Sequence, residues 1–211
     1  MLRVRKLAET CLKAAAYLVA GVALSNTSLA SETQDWVLKK EERGVQLFAR
    51  SVPDSPFLEV KAVTRLESSM QAILFALGDG DGCSKWRKMC KSSEVIKQQT
   101  PDERLIYMVL DLPWPLSDRD IVMHSLSQED PSSKALTVTL RSVSNEYPLQ
   151  KYVRAESLGH YQVVPLNSGQ FEFTWVMHTD LGGEVSPGMV NGQIVSSTLS
   201  DVIRLRKLTQ Q

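Results

Sequence analysis

The chain has 211 residues, and its 24 basic and 24 acidic side chains balance to a formal net charge of zero. It contains no run of basic residues, which argues against nucleic-acid binding and against strong electrostatic attachment to anionic lipid. An apolar fraction of 43% in a chain of this length is typical of one globular domain with a sizeable core.

The first thirty residues have the three-part layout of a secretory signal peptide. Three basic residues lie within the first six positions, an uncharged apolar run spans Ala14 to Leu24, and the small residues Ser28 and Ala30 follow. This pattern predicts cleavage after Ala30 and export of residues 31–211, as one domain of net charge −3, to the periplasm or the medium. The run is shorter than the about 20 residues of a spanning helix. An uncleaved N-terminal anchor is the alternative.

The predicted mature chain keeps two cysteines, Cys83 and Cys90, which could pair in an oxidising compartment. A continuous helix would hold their Cα atoms about 10 Å apart, which is too far for a disulfide. A turn after the glycine-rich segment Gly78–Gly82 would bring them closer. Both arrangements are compatible with the sequence.

Residue periodicity predicts an α+β domain, with many strands, one early helix and one late helix. The strand pattern is clearest where Leu136, Val138 and Leu140 alternate with polar residues. The early helix is predicted from Met70 onward, where Ser69 offers an N-cap. The predicted strands are 36–40, 45–51, 57–66, 94–99, 104–112, 121–127, 136–143, 152–164 and 170–181.

The late helix is predicted over 187–207. Ser186 suits the N-cap position, and Pro187 suits the first helical position. The apolar residues cover about 220° of the helix circumference, which suits a helix laid into a curved antiparallel sheet. An ordinary C-terminal core helix would have the same period. The apolar residues are Val190, Ile194, Val195, Leu199, Val202, Ile203 and Leu205.

Motifs for catalysis, metal binding or cofactor binding are missing from the sequence. His124, His160 and His178 lie on different predicted strands, and none has the spacing of a metal site. There is no nucleophile elbow and no glycine-rich phosphate loop, so we expect no metal and no cofactor. The segment Asp118–Asp120 resembles an acid–base cluster but is more typical of a structural ion pair.

Four segments carry a recognisable pattern. They are Trp36–Arg50, the residue Trp86, the stretch PWPLSDRDIV at Pro113–Val122, and Asp180–Asn191. In this order they resemble the START (steroidogenic acute regulatory protein-related lipid transfer) domain family, in particular its bacterial and phosphatidylcholine transfer protein types. The likeness covers nearly all of the chain after residue 30.

The resemblance implies a helix-grip fold (START/Bet v 1-like), in which a curved antiparallel β-sheet wraps around a long C-terminal α-helix and encloses one lipid. It implies a monomeric, non-catalytic domain that binds one hydrophobic ligand in an internal tunnel, transfers it, and touches membranes transiently. Strand alternation and a rough alignment give the expected ligand-binding residues, which are Met108, Leu110, Met123, Ser125, Trp175, Met177, Val190, Asn191 and Ile194.

The family also bears on the type of ligand. Its sterol-binding members carry one acidic and one basic side chain inside the tunnel, where alignment places Ile106 and Ser125 of this chain. The resemblance therefore implies a phospholipid, a fatty acid or another long apolar chain rather than a sterol.

Two other functions are open at this stage. A helix-grip enzyme of the cyclase or hydrolase type would need polar groups that converge on the cavity, and the candidates are His124, His178, Arg154 and Asp111. A structural or interaction module would have a filled core. A cavity smaller than roughly a few hundred Å³ would favour such a module.

Overall fold

The predicted order of strands and helices is present in the computed structural model of the protein, which describes residues 35–78, 82–166 and 169–210. The predicted signal peptide and its cleavage site lie outside the described residues. The elements are β1 (Val37–Glu42), β2 (Val45–Val52), β3 (Ser55–Glu67), α1 (Met70–Gly78), α2 (Cys83–Trp86), β4 (Cys90–Thr100), β5 (Glu103–Leu110), β6 (Arg119–Glu129), β7 (Leu136–Ser142), β8 (Val153–Arg154), β9 (Glu156–Pro165), β10 (Gln170–Asp180) and α3 (Pro187–Thr209).

The described strands form one curved sheet around α3, which confirms the predicted α+β, helix-grip fold class. The strand order is β1-β2-β3-β10-β9-β7-β6-β5-β4, with antiparallel pairing between neighbours, and the short β8 pairs in parallel with β6. α3 packs against β2, β3, α1 and α2.

Alternating burial decides which face of the sheet meets the helix. Val45, Leu47 and Ala49 of β2 are buried, and the residues between them are more exposed. β7 repeats this pattern, as its sequence predicted. Since side chains alternate across a strand, this places one apolar face toward α3 and leaves a mixed face toward solvent.

Close packing of β9 on β10 depends on a glycine. Gly159 lies opposite Met177, and a Cβ atom at this position would stand 2.9 Å from the Met177 Cα and closer still to the carbonyl of Val176. A side chain would therefore force the two strands apart. Gly159 lets them approach where β10 carries Trp175 and Met177 toward the interior.

The structure differs from the sequence prediction in the segment 152–164, which is not one strand. β8 ends at Arg154, and the amide of Ala155 donates to the carbonyl of Asp120 at 2.8 Å before β9 begins. The reason lies in the side chain of Arg154, which reaches Asp120 on β6. β5 also stops at Leu110, two residues earlier than its apolar run suggested.

The helix α3 begins where the sequence predicted, with Ser186 extended at the N-cap position and Pro187 in the first turn. The Ser186 hydroxyl makes no capping hydrogen bond. Hydrogen bonds instead anchor the first and last parts of the helix. Asn191 binds backbone groups of Pro56 and Leu58 near the start of β3, and Arg206 donates to the carbonyl of Arg43 in the β1–β2 turn.

The motif Asp118–Asp120 is structural, as its ion-pair reading predicted, but its partners come from elsewhere in the chain. Asp120 is fully buried and binds Arg154 through both oxygens, at 2.8 and 3.1 Å. Arg119 donates to the carbonyl of Leu181 at 2.7 Å. The two residues therefore join β6 to β8 and to the turn that leads into α3.

We expect Asp120→Ala to lower the free energy of unfolding by about 3–5 kcal/mol, because it leaves the Arg154 guanidinium buried without its counter-charge. The matched control is Glu129→Ala. Its ion pair with Lys134 is exposed at both ends, so its loss should cost at most about 1 kcal/mol. Urea unfolding of both variants measures the difference, and equal losses would contradict a structural role for the Asp120–Arg154 pair.

Candidate functional site

Three small cavities lie on the inner side of the sheet in the described part of the chain, with volumes of about 80, 60 and 20 Å³, and only the first is lined by α3. The first cavity lies under the N-terminal half of α3 and is bounded by β5, β10 and the loop after β5. The second lies between α1, α2 and the strands β5, β6 and β7. The third, which is the smallest, lies between them. Each is smaller than an ordinary lipid pocket.

Eight of the nine expected ligand-binding residues line these cavities, but they are divided among them. Leu110, Trp175, Met177, Val190 and Ile194 line the first cavity. The remaining three, Met108, Met123 and Ser125, line the second cavity.

Asn191 lies elsewhere. Its side-chain oxygen accepts a hydrogen bond from the Leu58 amide at 2.9 Å, and its side-chain nitrogen donates to the Pro56 carbonyl at 3.1 Å. Since the amide satisfies two backbone groups of β3, it ties α3 to the sheet. Asn191 is therefore placed as an anchor of the helix and not on a cavity wall.

A short segment between α1 and β4 carries the aromatic and basic side chains that reach the interior. α2 ends at Trp86 and Arg87 is extended, so the chain turns back and brings the Cα atoms of Cys83 and Cys90 to 5.9 Å. The two cysteines form a disulfide, which settles the question that the sequence left open. The long-helix arrangement does not occur because α2 has four residues.

Further contacts hold this segment in place. The indole nitrogen of Trp86 donates to the Ala76 carbonyl at 3.1 Å, and the Lys88 amide donates to the Asp201 carboxylate of α3 at 2.7 Å. The carbonyl of Met89 accepts a bond from the Asp111 amide at 2.9 Å. The segment is thus fixed to α1, to α3 and to the end of β5.

Arg87 is the residue that lines all three cavities, and the sequence analysis did not identify it. Its guanidinium carbon lies 5.3 Å from the ring centre of Trp175 and 5.9 Å from that of Trp86. One nitrogen lies 3.5 Å from the sulfur of Met108. These contacts attract a cation weakly but supply no counter-charge.

Asp201 is the second charged residue that was missed. It is 3% exposed and lines the first cavity from α3. Burial raises its pKa to about 6, against the opposing effects of the Lys88 amide and of the charges on Arg87, Arg204 and Lys88. The first cavity is therefore lined by one acidic side chain, Asp201, and one basic side chain, Arg87, among the described residues.

A sequence signal for Asp201 does exist. The residue falls on the buried stripe of α3, between Thr198 and Leu205 at helical spacing, so it interrupts an otherwise uncharged face. Arg87 has no comparable signal, because its inward position depends on the turn that the disulfide closes.

The four candidates for catalysis do not meet in a cavity. His124 binds Glu103 at 2.6 Å, and His178 binds the Ser55 hydroxyl at 2.9 Å. Arg154 is paired with Asp120, and Asp111 is exposed. None of the four is among the residues that line the three cavities.

Two further features are absent from the described residues. Among them, no helix is long and apolar enough to cross a bilayer. They also contain no group of three or more histidine, cysteine or acidic side chains that could hold a metal ion.

Comparison with known proteins identifies the family. A model of the START domain matches residues 16–210, so the chain belongs to the START domain family. An uncharacterized protein of Pseudomonas aeruginosa is 28% identical over 204 residues, which is 96% of each chain.

Solved structures agree with this family assignment. A STAR-related lipid transfer protein fragment from Xanthomonas axonopodis is 28% identical, with a TM-score of 0.77 over 83% of this chain and 99% of that one. Human StAR-related lipid transfer protein 5 has the same TM-score at 18% identity, over 85% of this chain and 88% of that one, and shows the fold alone.

An enzyme also shares the fold. The Zhui aromatase/cyclase of a Streptomyces species has a TM-score of 0.52 at 11% identity, over 72% of this chain and 93% of that one. The fold therefore does not distinguish a binding domain from an enzyme, and the distinction has to come from the residues of the cavities.

We expect Asp201→Asn to stabilise the protein at pH 7.5 by up to roughly 3 kcal/mol, because it removes the cost of ionising a buried carboxyl. The folded pKa, about 6, lies above the unfolded value of 3.8. The cost is therefore absent below both values, grows between pH 3.8 and 6, and stays constant above.

Urea unfolding at pH 7.5 and pH 4 checks this expectation, since the gain should nearly vanish at pH 4. The asparagine oxygen can still accept the Lys88 amide, and Asp102→Asn on an exposed turn serves as the control. A gain of equal size at both pH values would show that ionisation of Asp201 is not its source.

Proposed function

We propose that the protein is a non-catalytic domain that binds one lipid or similar hydrophobic molecule beneath α3 and moves it between membranes. The observation that carries the proposal is the mainly apolar cavity under α3, lined by β5, β10 and the helix, with two smaller cavities beside it on the inner side of the sheet. The Xanthomonas relative, a STAR-related lipid transfer protein that is 28% identical over nearly its whole length, supports the same function.

The binding energy comes from removing an acyl chain from water. Each buried CH₂ group contributes about 0.8 kcal/mol, so a tail of a dozen groups gains roughly 10 kcal/mol before the costs of association. That gain is comparable to what the lipid loses on leaving a bilayer. A domain of this type therefore holds the lipid reversibly, as transfer requires.

The separate cavities must join before a full lipid fits. The third cavity shares Met177 with the first and shares Met108 and Met123 with the second. Methionine has three rotatable bonds and adapts its shape at low cost. Rotation of these three side chains, together with Arg87, would convert the cavities into one continuous tunnel.

Membrane contact occurs at the open end of the first cavity. Pro113 and Leu116, in the loop after β5, line this cavity together with Met189 of α3. Trp114, which lies between Pro113 and Leu116 in this loop, is 92% exposed. Met189 is 41% exposed. An exposed tryptophan beside an apolar opening suits a membrane interface, where its ring enters the headgroup layer.

The protein acts outside the cytoplasm in this proposal, because residues 1–30 have the pattern of a cleaved signal peptide. Mass spectrometry of the exported protein should give a chain that begins at Ser31. A chain that retains residues 1–30 would indicate the uncleaved anchor instead.

A structural module with a filled core is the second candidate, and the small cavity volumes favour it. The two candidates differ in one measurement. Native mass spectrometry of protein purified from its own compartment should detect one lipid per chain if the domain binds lipid, and none if its core is filled.

We expect Ile194→Trp to reduce lipid occupancy at least tenfold, because the larger ring occupies the first cavity. The control is Ser196→Trp, which adds the same ring on the exposed side of α3. Occupancy is measured by native mass spectrometry after incubation with phospholipid vesicles. Equal occupancy in the two variants would contradict a binding site under α3.

We expect Trp114→Ser to slow transfer of a fluorescent phospholipid between vesicles by about tenfold while leaving lipid occupancy unchanged. Phe75→Ser is the control, since Phe75 is 69% exposed on α1, which packs near the other end of α3. An equal effect of both variants would contradict a specific membrane contact at the loop after β5.

A further inference from the structure

We propose that Arg87 recognises the headgroup of the bound lipid, and that this headgroup is acidic, a carboxylate or a phosphate. The inference rests on the proposed function, because it names the chemical class of lipid that the same cavities accept. It begins from the position of Arg87, which among the described residues is the one basic side chain lining the first cavity and the one residue common to all three.

The guanidinium of Arg87 has unused hydrogen-bonding capacity. It carries five N–H donors, of which one reaches the weak acceptor sulfur of Met108 at 3.5 Å. Among the described residues, no carboxylate lies within 4.0 Å of it. A partly buried cation with this surplus of donors is a site for an anion that arrives with the ligand.

A second donor on the same cavity points to the same class of ligand. The indole nitrogen of Trp175 is buried and has no hydrogen-bond partner in the described structure. Trp175 is 3% exposed, lines the first cavity, and has the Arg87 guanidinium 5.3 Å from its ring centre. A buried N–H without an acceptor is costly, and an oxygen of a bound headgroup could relieve this cost.

The position of Arg87 is built into the fold. Its backbone is held by the disulfide between Cys83 and Cys90, which flank it in the chain. It is also held by the hydrogen bond from Trp86 to Ala76 and by the bond from the Lys88 amide to Asp201. The backbone of Arg87 is therefore fixed beside the cavity before any ligand arrives. Such preorganisation favours the planar, two-point binding that arginine makes with carboxylates and phosphates.

Asp201 allows a test of whether the bound headgroup is negatively charged. It is the one carboxylate among the described residues that line the first cavity, and it belongs to the same electrostatic environment as Arg87, Lys88 and Arg204. An ionised Asp201 repels an acidic headgroup. Its neutralisation in Asp201→Asn should therefore strengthen binding of an acidic lipid relative to binding of a neutral lipid.

The experiment compares ligands that differ in charge and share one chain. Delipidated protein is loaded with the neutral fluorescent probe N-phenyl-1-naphthylamine, which is then displaced by oleic acid, oleyl alcohol or 1-oleoyl-lysophosphatidic acid at pH 8. We expect oleate to bind about tenfold or more tightly than oleyl alcohol, as a charge-assisted hydrogen bond in a sheltered site provides.

The variants assign this preference to one side chain. Arg87→Gln should reduce the preference for oleate over oleyl alcohol to less than about threefold, and Arg87→Lys should retain part of it because the charge remains. Arg141→Gln, which removes an exposed arginine from β7, should leave it unchanged. A cooperative urea transition close to that of the unaltered protein shows that Arg87→Gln is folded.

The outcomes separate the two proposals. If neither oleate nor oleyl alcohol displaces a bound probe, or the probe does not bind, the proposed function fails. If both lipids bind equally, or if Arg87→Gln keeps the preference, the function stands and the role of Arg87 is refuted. Tighter binding of lysophosphatidic acid than of oleate would assign a phosphate headgroup, whereas displacement by inorganic phosphate alone would overturn the lipid headgroup in favour of a small anion.

Discussion

The packing of α3 against the concave face of the sheet is the constraint on which the rest of this structure depends. The same apolar side chains must form the core of the domain and the wall of a cavity that admits a ligand. The two demands are met by different side chains of the helix. Hydrogen bonds of Asn191 and Arg206 anchor the helix to the β2–β3 side of the sheet, and other side chains between Met189 and Asp201 face the first cavity.

Charge inside this interface changes what the domain can hold. A purely apolar tunnel would accept any acyl chain and would distinguish ligands only by length and shape. Arg87 and Asp201 would orient a bound lipid, because its polar end would lie near them and its chain would lie among the methionines. In the role proposed for Arg87, the sign of the local charge decides between headgroups, which shape alone does not do.

The sequence predicted the fold well and the cavity only in part, for physical reasons. The alternation in β7 and β10 and the apolar arc of α3 are local patterns, and each one fixes which side chains point inward. The strand predicted over 152–164 breaks because Arg154 turns toward Asp120, a contact across 34 residues that no local pattern contains. Arg87 was missed for the same reason, since a disulfide and three hydrogen bonds turn it inward. Asn191 was assigned to the cavity by alignment, which does not show that its amide satisfies two backbone groups.

The route by which a ligand enters depends on which parts of the structure are anchored and which side chains can change rotamer. The turn at Gly182 and Gly183, whose positive φ angles would suit a hinge, is held by Arg119, which donates to the carbonyl of Leu181. A swing of the whole helix would also break the bonds of Asn191 and Arg206. The side chains that separate the three cavities, in contrast, are methionines and one arginine, which change rotamer at low cost. In the proposed function, entry therefore requires these side chains to rearrange beneath an anchored helix, and the proposed membrane contact at Trp114 is where the chain of a lipid first meets them.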